Sequence, residues 1–119
     1  MLATLTKRAD FLAAARAGRA GTPGFLLQAR KRADSEADAA AMRVGFTCSK
    51  KVGNAVVRNR AKRRLREIAR AVLPEAGQPG WDYVLVGRAG ETATRPFGQM
   101  LDDLRQAVKR VHAPREGRK

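Results

Sequence analysis

Residues 50–66 read KKVGNAVVRNRAKRRLR, and the fold and the chemistry of the chain are decided by how this stretch is laid on a helix. It holds Lys50, Lys51, Arg58, Arg60, Lys62, Arg63, Arg64 and Arg66 and no acidic residue. Gly53 and Asn54 mark a turn, and Asn is a favoured helix cap, so a helix is expected from there until Pro74 forbids further extension. At 100° per residue, Val57, Ala61, Leu65, Ile68 and Val72 fall in one apolar arc. Asn59, Lys62, Arg63, Arg66 and Arg70 lie opposite, and Arg58, Arg60 and Arg64 occupy the flanks, where their stems can lie along the protein. A face with so much charge of one sign repels itself. Only Glu67, spaced to meet Arg63, Arg64 or Arg70, offers local neutralisation, so an external anion is expected. An ordinary solvated helix face mixes signs instead.

The whole chain repeats this imbalance. In 119 residues, 25 Lys and Arg stand against 11 Asp and Glu, a formal charge of +14, which implies a polyanionic partner. Arginines outnumber lysines, a bias that suits bidentate phosphate recognition and would equally follow from a GC-rich genome. The length and the 44% hydrophobic content suit one domain, expected over residues 1–113, with a basic, disordered tail over 114–119. No apolar run approaches the ~18 residues needed to cross a bilayer, so no membrane partner is expected. The Arg- and Ala-rich start faintly resembles an organellar presequence, but Asp10 interrupts it and a short helix is the better reading. With one cysteine and one histidine, neither a disulfide framework nor a Cys/His zinc cluster can form in one chain, and a reducing cytoplasmic setting is expected.

Working outward from the basic helix, Thr6 is placed to cap a first helix over residues 7–17 that stops at Gly18, with Leu5, Ala9 and Leu12 at helical spacing and Phe11 beside them. A turn around residues 21–23 leads to a strand over 24–30. A loop over 31–41, carrying Asp34, Glu36 and Asp38, is expected to lie away from any nucleic acid. A strand over 42–49 puts Val44, Phe46 and Cys48 on one face. After the basic helix and a loop over 74–80, residues 81–88 contain the run Tyr83, Val84, Leu85, Val86, which suits a central strand buried on both sides. Pro96 starts a last helix whose Phe97, Leu101, Leu104, Val108 and Val111 form a stripe. The order helix, strand, strand, helix, strand, helix describes an α+β sandwich with one central sheet packed by helices.

Protein-borne phosphodiester hydrolysis would ordinarily need clustered carboxylates or a positioned acid and base. The acids here are scattered, Asp102 and Asp103 point to different sides of a helix, and His112 lies near a terminus expected to fray. Cys48 among apolar strand residues reads as a buried structural thiol. No catalytic residue, metal ligand or protein-bound cofactor is expected.

The run SKKVGNAVVRNRAKRRLREI resembles the signature segment of the bacterial ribonuclease P protein family, with Arg58-Asn59-Arg60 at its heart. Phe11, Phe25-Leu26-Leu27, RVGFTCSKK and DYVLVGR fall in family order, so the resemblance spans residues 7–111. It implies a ribosomal protein S5 domain 2-like fold and a protein subunit supporting removal of the 5′ leader of precursor tRNA. The catalyst would be an RNA subunit with its magnesium ions. It further implies that Lys50, Lys51, Arg58, Asn59, Arg60, Lys62, Arg63 and Arg66 bind that RNA subunit. Phe11 and Gln28 match positions lining a groove for the single-stranded leader, with Phe11 a stacking surface or ordinary core. The sequence departs from the family at Ala15 and Gln28, where aromatics are common. Two rivals stay open: a ribosomal protein neutralising folded rRNA, and a DNA-binding module, although no helix-turn-helix or zipper frame is apparent. No protein partner is evident.

Overall fold

The computed structural model describes residues 2–33, 36 and 40–113. Five strands form one sheet: β1 (Leu2–Thr4), β2 (Gly18–Gly21), β3 (Phe25–Lys31), β4 (Met42–Thr47) and β5 (Trp81–Gly87), in the order β1-β4-β5-β3-β2. β4 runs parallel to both β1 and β5, while β3 runs antiparallel to β5 and β2. Three helices pack on it: α1 (Arg8–Ala15), α2 (Ala55–Ala76) and α3 (Phe97–Val111). A 3-10 turn, Lys50–Val52, sits between β4 and α2. The α+β, single-sheet expectation holds, with two strands more than the sequence suggested.

β5 is central, as its unbroken apolar run requires, and the period-2 alternation of a strand sorts its side chains between two cores. Tyr83 and Leu85 join Phe25, Leu27, Ala29 and Val44 under α2 and α3, which contribute Leu65, Ile68, Val72, Met100, Leu104 and Val108. Val84 faces the other way, into a smaller cluster with Leu5, Ala14, Phe11 and Val86 beneath α1. Val44, Phe46 and Cys48 line the α2 side as expected, although Phe46 and Cys48 are only half-buried. Burying a side chain such as Leu65 or Phe25 contributes roughly 1.5–3 kcal/mol relative to exposure, so α2 and α3 are held mainly by this seam.

Several expectations are corrected. β1 and β2 were not anticipated: β1 has three residues and β2 is the Gly-rich GRAG, and both are strands because they pair with β4 and β3 at the sheet edges. Thr6 does not cap α1; Lys7 holds the cap position with no side-chain hydrogen bond, and the helix ends at Ala15 because Gly18 already belongs to β2. Its buried face is not the expected stripe, since Ala9 is exposed and Leu12 is 43% exposed, while Ala14 and Phe11 meet the sheet. Pro74 does not end α2, which runs to Ala76 and closes with Gly77 N–H donating to Leu73 O at 2.8 Å. A proline in the last turn of an exposed helix end leaves a single backbone bond unmade, a tolerable loss. Phe97 opens α3 but is 38% exposed, whereas Met100 and Ala107 complete the buried stripe. Residues 114–119, Asp34 and Asp38 lie outside the described residues.

Two polar constellations fix the packing. Asp82, fully buried on β5, receives Arg32 at 2.5 Å, Arg43 Nε and Nη2 at 2.7 Å each and Arg30 at 3.5 Å. Arg43 also reaches Asp10 of α1 at 3.6 Å, and Arg30 pairs with Glu36 at 2.7 Å. Glu36 further accepts from Ala33 N–H at 2.8 Å, and this bond, with Arg30, holds its carboxyl below the usual range. The second joins helix ends to the sheet. His112, expected to fray, lies edge-on to Trp81 at 4.3 Å, with its Nε2 2.7 Å from Tyr83 Oη. Tyr83 Oη accepts from Gln78 N–H at 2.8 Å, which leaves its own proton for a neutral His112 Nε2. Burial pushes Tyr83 up to about 12 and His112 down from its ordinary value.

Removing the buried carboxylate by Asp82→Asn leaves desolvated guanidinium groups uncompensated and is expected to cost about 3–5 kcal/mol in urea unfolding. A loss under about 1 kcal/mol would show the cluster to be peripheral to stability. Because the folded-state pKa of His112 is lowered, its contribution is present above the unfolded value near 6.5 and is lost as pH falls through the folded value. Between about pH 8 and pH 5, His112→Gln should therefore flatten the decline in thermal stability; parallel profiles for the two proteins would refute this.

Candidate nucleic-acid interface

The basic helix is built by a turn that only glycine tolerates. Gly53 has φ +152°, and a Cβ there would lie 2.8 Å from Val57 Cβ. Asn54 then caps α2, its Oδ1 accepting from Val57 N–H at 3.0 Å, as the GN pair predicts. Ala61, Leu65, Ile68, Ala69, Val72 and Leu73 are buried, so the apolar arc is confirmed except at its start, where Val57 is half-buried.

The opposite face carries what the spacing promised. Asn59, Arg60, Arg63, Arg66 and Arg70 are exposed, Arg58 and Lys62 are half-buried, and Lys50 and Lys51 are exposed on the 3-10 turn leading into the helix. Arg66 extends over the Phe46 ring, 5.7 Å from its centroid. Among the described residues, no carboxylate forms an ion pair with any cation from Lys50 to Arg70; the ion pairs involve Arg30, Arg32, Arg43, Arg95 and Arg105. Glu67, expected to neutralise its neighbours, is exposed and forms no such pair. Arg58 Nε is shielded from solvent and has no hydrogen-bond partner among the described residues.

Arg64 is different from its neighbours. Its Nε donates to Thr92 O at 3.0 Å, its Nη2 donates to Arg95 O, and its guanidinium lies 5.8 Å from the Phe97 ring. It straps the β5–α3 connection to α2, a long-range role that helix periodicity alone could not reveal.

Two concavities flank the exposed ridge. Cys48, Ala55, Arg58, Asn59 and Lys62 surround one of about 190 Å³. There the Cys48 thiol, half-buried rather than buried as expected, is pushed up by desolvation against the opposing pull of Lys62 and Arg58. The other, about 580 Å³, lies between α2 and residues 93–94.

Phe11 and Gln28 are brought to the other side of the sheet. Gln28 stands opposite Val84, whose side chain enters the cluster beneath α1, and Arg19 of β2 stands opposite Gln28. The Phe11 ring is half-buried over Gly45, where a Cβ would come within 2.5 Å of two ring carbons. The glycine therefore makes the seat for the ring. Ala15 is exposed at the end of α1 and adds no second aromatic. Arg19, exposed and without an ion pair among the described residues, shares this face and was missed because β2 was not anticipated as a strand.

The carboxylates form no comparable centre. Asp103 pairs with Arg95 at 2.7 Å and Asp102 with Arg105 at 3.0 Å. Among the described residues no three His, Cys, Asp or Glu side chains converge to hold a metal, and no helix is long and apolar enough to cross a membrane.

Comparison with known proteins places these features in a family. The ribonuclease P protein component of Ruegeria pomeroyi is 63% identical over 114 residues, covering 96% of this chain and 90% of that one. That of Paramagnetospirillum magneticum is 51% identical over 110 residues, covering 92% and 82%. The solved RNase P protein of Staphylococcus aureus superposes with a TM-score of 0.71 at 23% identity, covering 92% of this chain and 94% of that one. That of Thermotoga maritima gives 0.71 at 24% identity, covering 89% and 94%. The family model for ribonuclease P matches residues 2–112, and with a capped basic helix on the matching fold the chain belongs to the ribonuclease P protein component family.

Proposed function

We propose that α2 and the 3-10 turn before it are the docking surface for the RNA subunit of ribonuclease P, and that the α1 side of the sheet holds the precursor tRNA leader. Family membership carries the role in tRNA processing and the association with an RNA subunit. The observation that supports this assignment of surfaces is the unpaired cation face. Among the described residues, Lys50, Lys51, Arg58, Arg60, Lys62, Arg63 and Arg66 have no carboxylate partner, although the same chain pairs its arginines elsewhere. Cations held apart on a rigid helix attract a phosphate backbone by counterion release. Asn59 stands among them as a neutral amide able to reach a base edge or a sugar hydroxyl.

On the other side, Phe11 over Gly45 offers a ring edge and part of a face, Gln28 an amide and Arg19 a guanidinium. An aromatic beside a cation on an open sheet is the combination that holds a single strand. With only one aromatic, this platform is thinner than a two-ring clamp. Magnesium, in this reading, is held by the RNA subunit; both acids of the Asp102-Asp103 pair are tied to arginines, which supports a structural rather than a metal-binding use. The cytoplasm is the setting in which such a ribonucleoprotein would meet precursor tRNA.

Replacing Arg58 and Arg60 together with Ala should leave thermal stability intact, because both lie outside the buried arc. Binding of the RNA subunit, measured by filter retention, should weaken by about 1–3 kcal/mol per lost charge-assisted contact. The log-log salt slope should fall by roughly 0.7 to 0.9 for each phosphate contact removed. An unchanged slope would move the RNA subunit off this helix. Phe11→Leu keeps apolar cover over Gly45 and removes the flat ring. It should reduce affinity for leader-bearing precursor by about 1–3 kcal/mol and leave mature tRNA binding unaltered. Equal losses for both RNAs would make Phe11 a packing residue only.

A further inference from the structure

Resting on the assignment of α2 to the RNA subunit, we propose that the groove between α2 and the β5–α3 connection is a seat for one unpaired nucleobase of that RNA. The neighbouring phosphate would be held by Arg60 and Arg63. A helix that met only a duplex backbone would need cations and nothing else. Here it also presents an apolar wall. Val56 is 77% exposed among charged neighbours, and on the helix it shares a flank with Asn59, Arg60 and Arg63 at spacings of three, four and seven residues. Ala93 and Thr94 form the facing wall, and the space between is about 580 Å³, within the roughly 300–1,000 Å³ typical of small-molecule sites.

The groove is a fixed feature rather than a surface accident. Its far wall belongs to the segment that Arg64 straps to α2 through Thr92 O and Arg95 O. Thr92 is itself buried, with its hydroxyl donating to Gly24 O at 2.6 Å and accepting from Arg88 N–H at 2.7 Å. Thr94 Oγ1 donates to Gly90 O at 2.6 Å, so the exposed hydroxyl keeps its lone pairs as acceptors.

The chemistry matches one occupant. Among the described residues no acidic one lines the groove, so an anionic polymer is favoured over a basic or neutral peptide. Apolar walls suit the flat faces of a base, and Asn59, whose side-chain amide makes no hydrogen bond among the described residues and is exposed, can read its edge. Bases within a duplex are stacked and unavailable, so the occupant is a bulged or looped nucleotide. The flank on the other side of Asn59 is smaller and is lined by the cations Arg58 and Lys62, which suits a phosphate rather than a base.

The test uses the full-length protein and its cognate RNA subunit transcript. Base-specific methylation and backbone hydroxyl-radical cleavage are read at nucleotide resolution, with and without protein. The expected result is that at least one unpaired base within the protein's backbone footprint becomes protected. Val56→Ser, at a site too exposed to threaten folding, should abolish that protection, leave the backbone footprint in place and weaken binding on the order of tenfold with an unchanged salt slope. Val56→Ile, which keeps the apolar wall, should retain both protection and affinity. A backbone footprint with base protection and affinity indifferent to Val56→Ser overturns the base seat while α2 remains the RNA surface. Absence of any footprint that depends on Arg58 and Arg60 overturns the docking assignment itself.

Discussion

Asp82 is a single carboxylate near the start of the central strand, and the relative placement of four elements depends on what it holds. Arg30 and Arg32 come to it from β3 and its C-terminal extension, and Arg43 comes from β4. The same Arg43 reaches Asp10 on α1. One buried acid thus ties the antiparallel neighbour, the parallel neighbour and the helix above them to one point. Such a cluster is weak evidence for net stability, since desolvating its members offsets much of their attraction. Its stronger effect is on uniqueness. A one-residue slip of β3 or β4 against β5 would turn these guanidinium groups to the other face and leave the carboxylate without them.

The molecule treats arginine in two opposite ways. On the α1 side of the sheet Arg30 and Arg43 share Asp82, and near α3 Arg95 and Arg105 each pair with an acid of their own. Along α2 the cations are left without acids among the described residues, and Arg64 is turned inward onto carbonyl oxygens. Pairing accompanies a structural role, and its absence accompanies a surface shaped for another molecule. The formal charge of +14 is therefore not spread evenly in its consequences.

Legibility in the sequence followed the strength of local signals. The GN turn, the apolar arc of α2 and the doubly buried β5 were readable because each depends on neighbours within a few residues. The facing of α1 was not legible because a short helix that is half alanine offers almost no contrast between sides. β1 and β2 carry no periodic pattern and exist through their partners. The straps of Arg64 to Thr92 and Arg95, and of His112 to Tyr83, join residues about thirty positions apart, so no window of sequence contains both ends. Asp82 could have been found: an acid at the start of an apolar strand, in a chain with arginines at 30, 32 and 43, asks where its partners are. The exposed cations of the basic face were legible, apart from the inward turn of Arg64 and the idle Glu67, while the groove beside Val56 was not, because its second wall arrives from residues 93–94.

α2 is also the crossover that connects β4 to β5, two adjacent parallel strands. Its two ends are therefore pinned to one ladder. It cannot swing out, lengthen or change its turn without unzipping the middle of the sheet. An RNA that meets this helix meets a surface whose conformational freedom was surrendered when the chain folded, so ordering it costs the complex little. The selectivity of such a surface is geometric: RNAs must bring their phosphates to the spacing of the helix, because the helix has no means of moving to theirs.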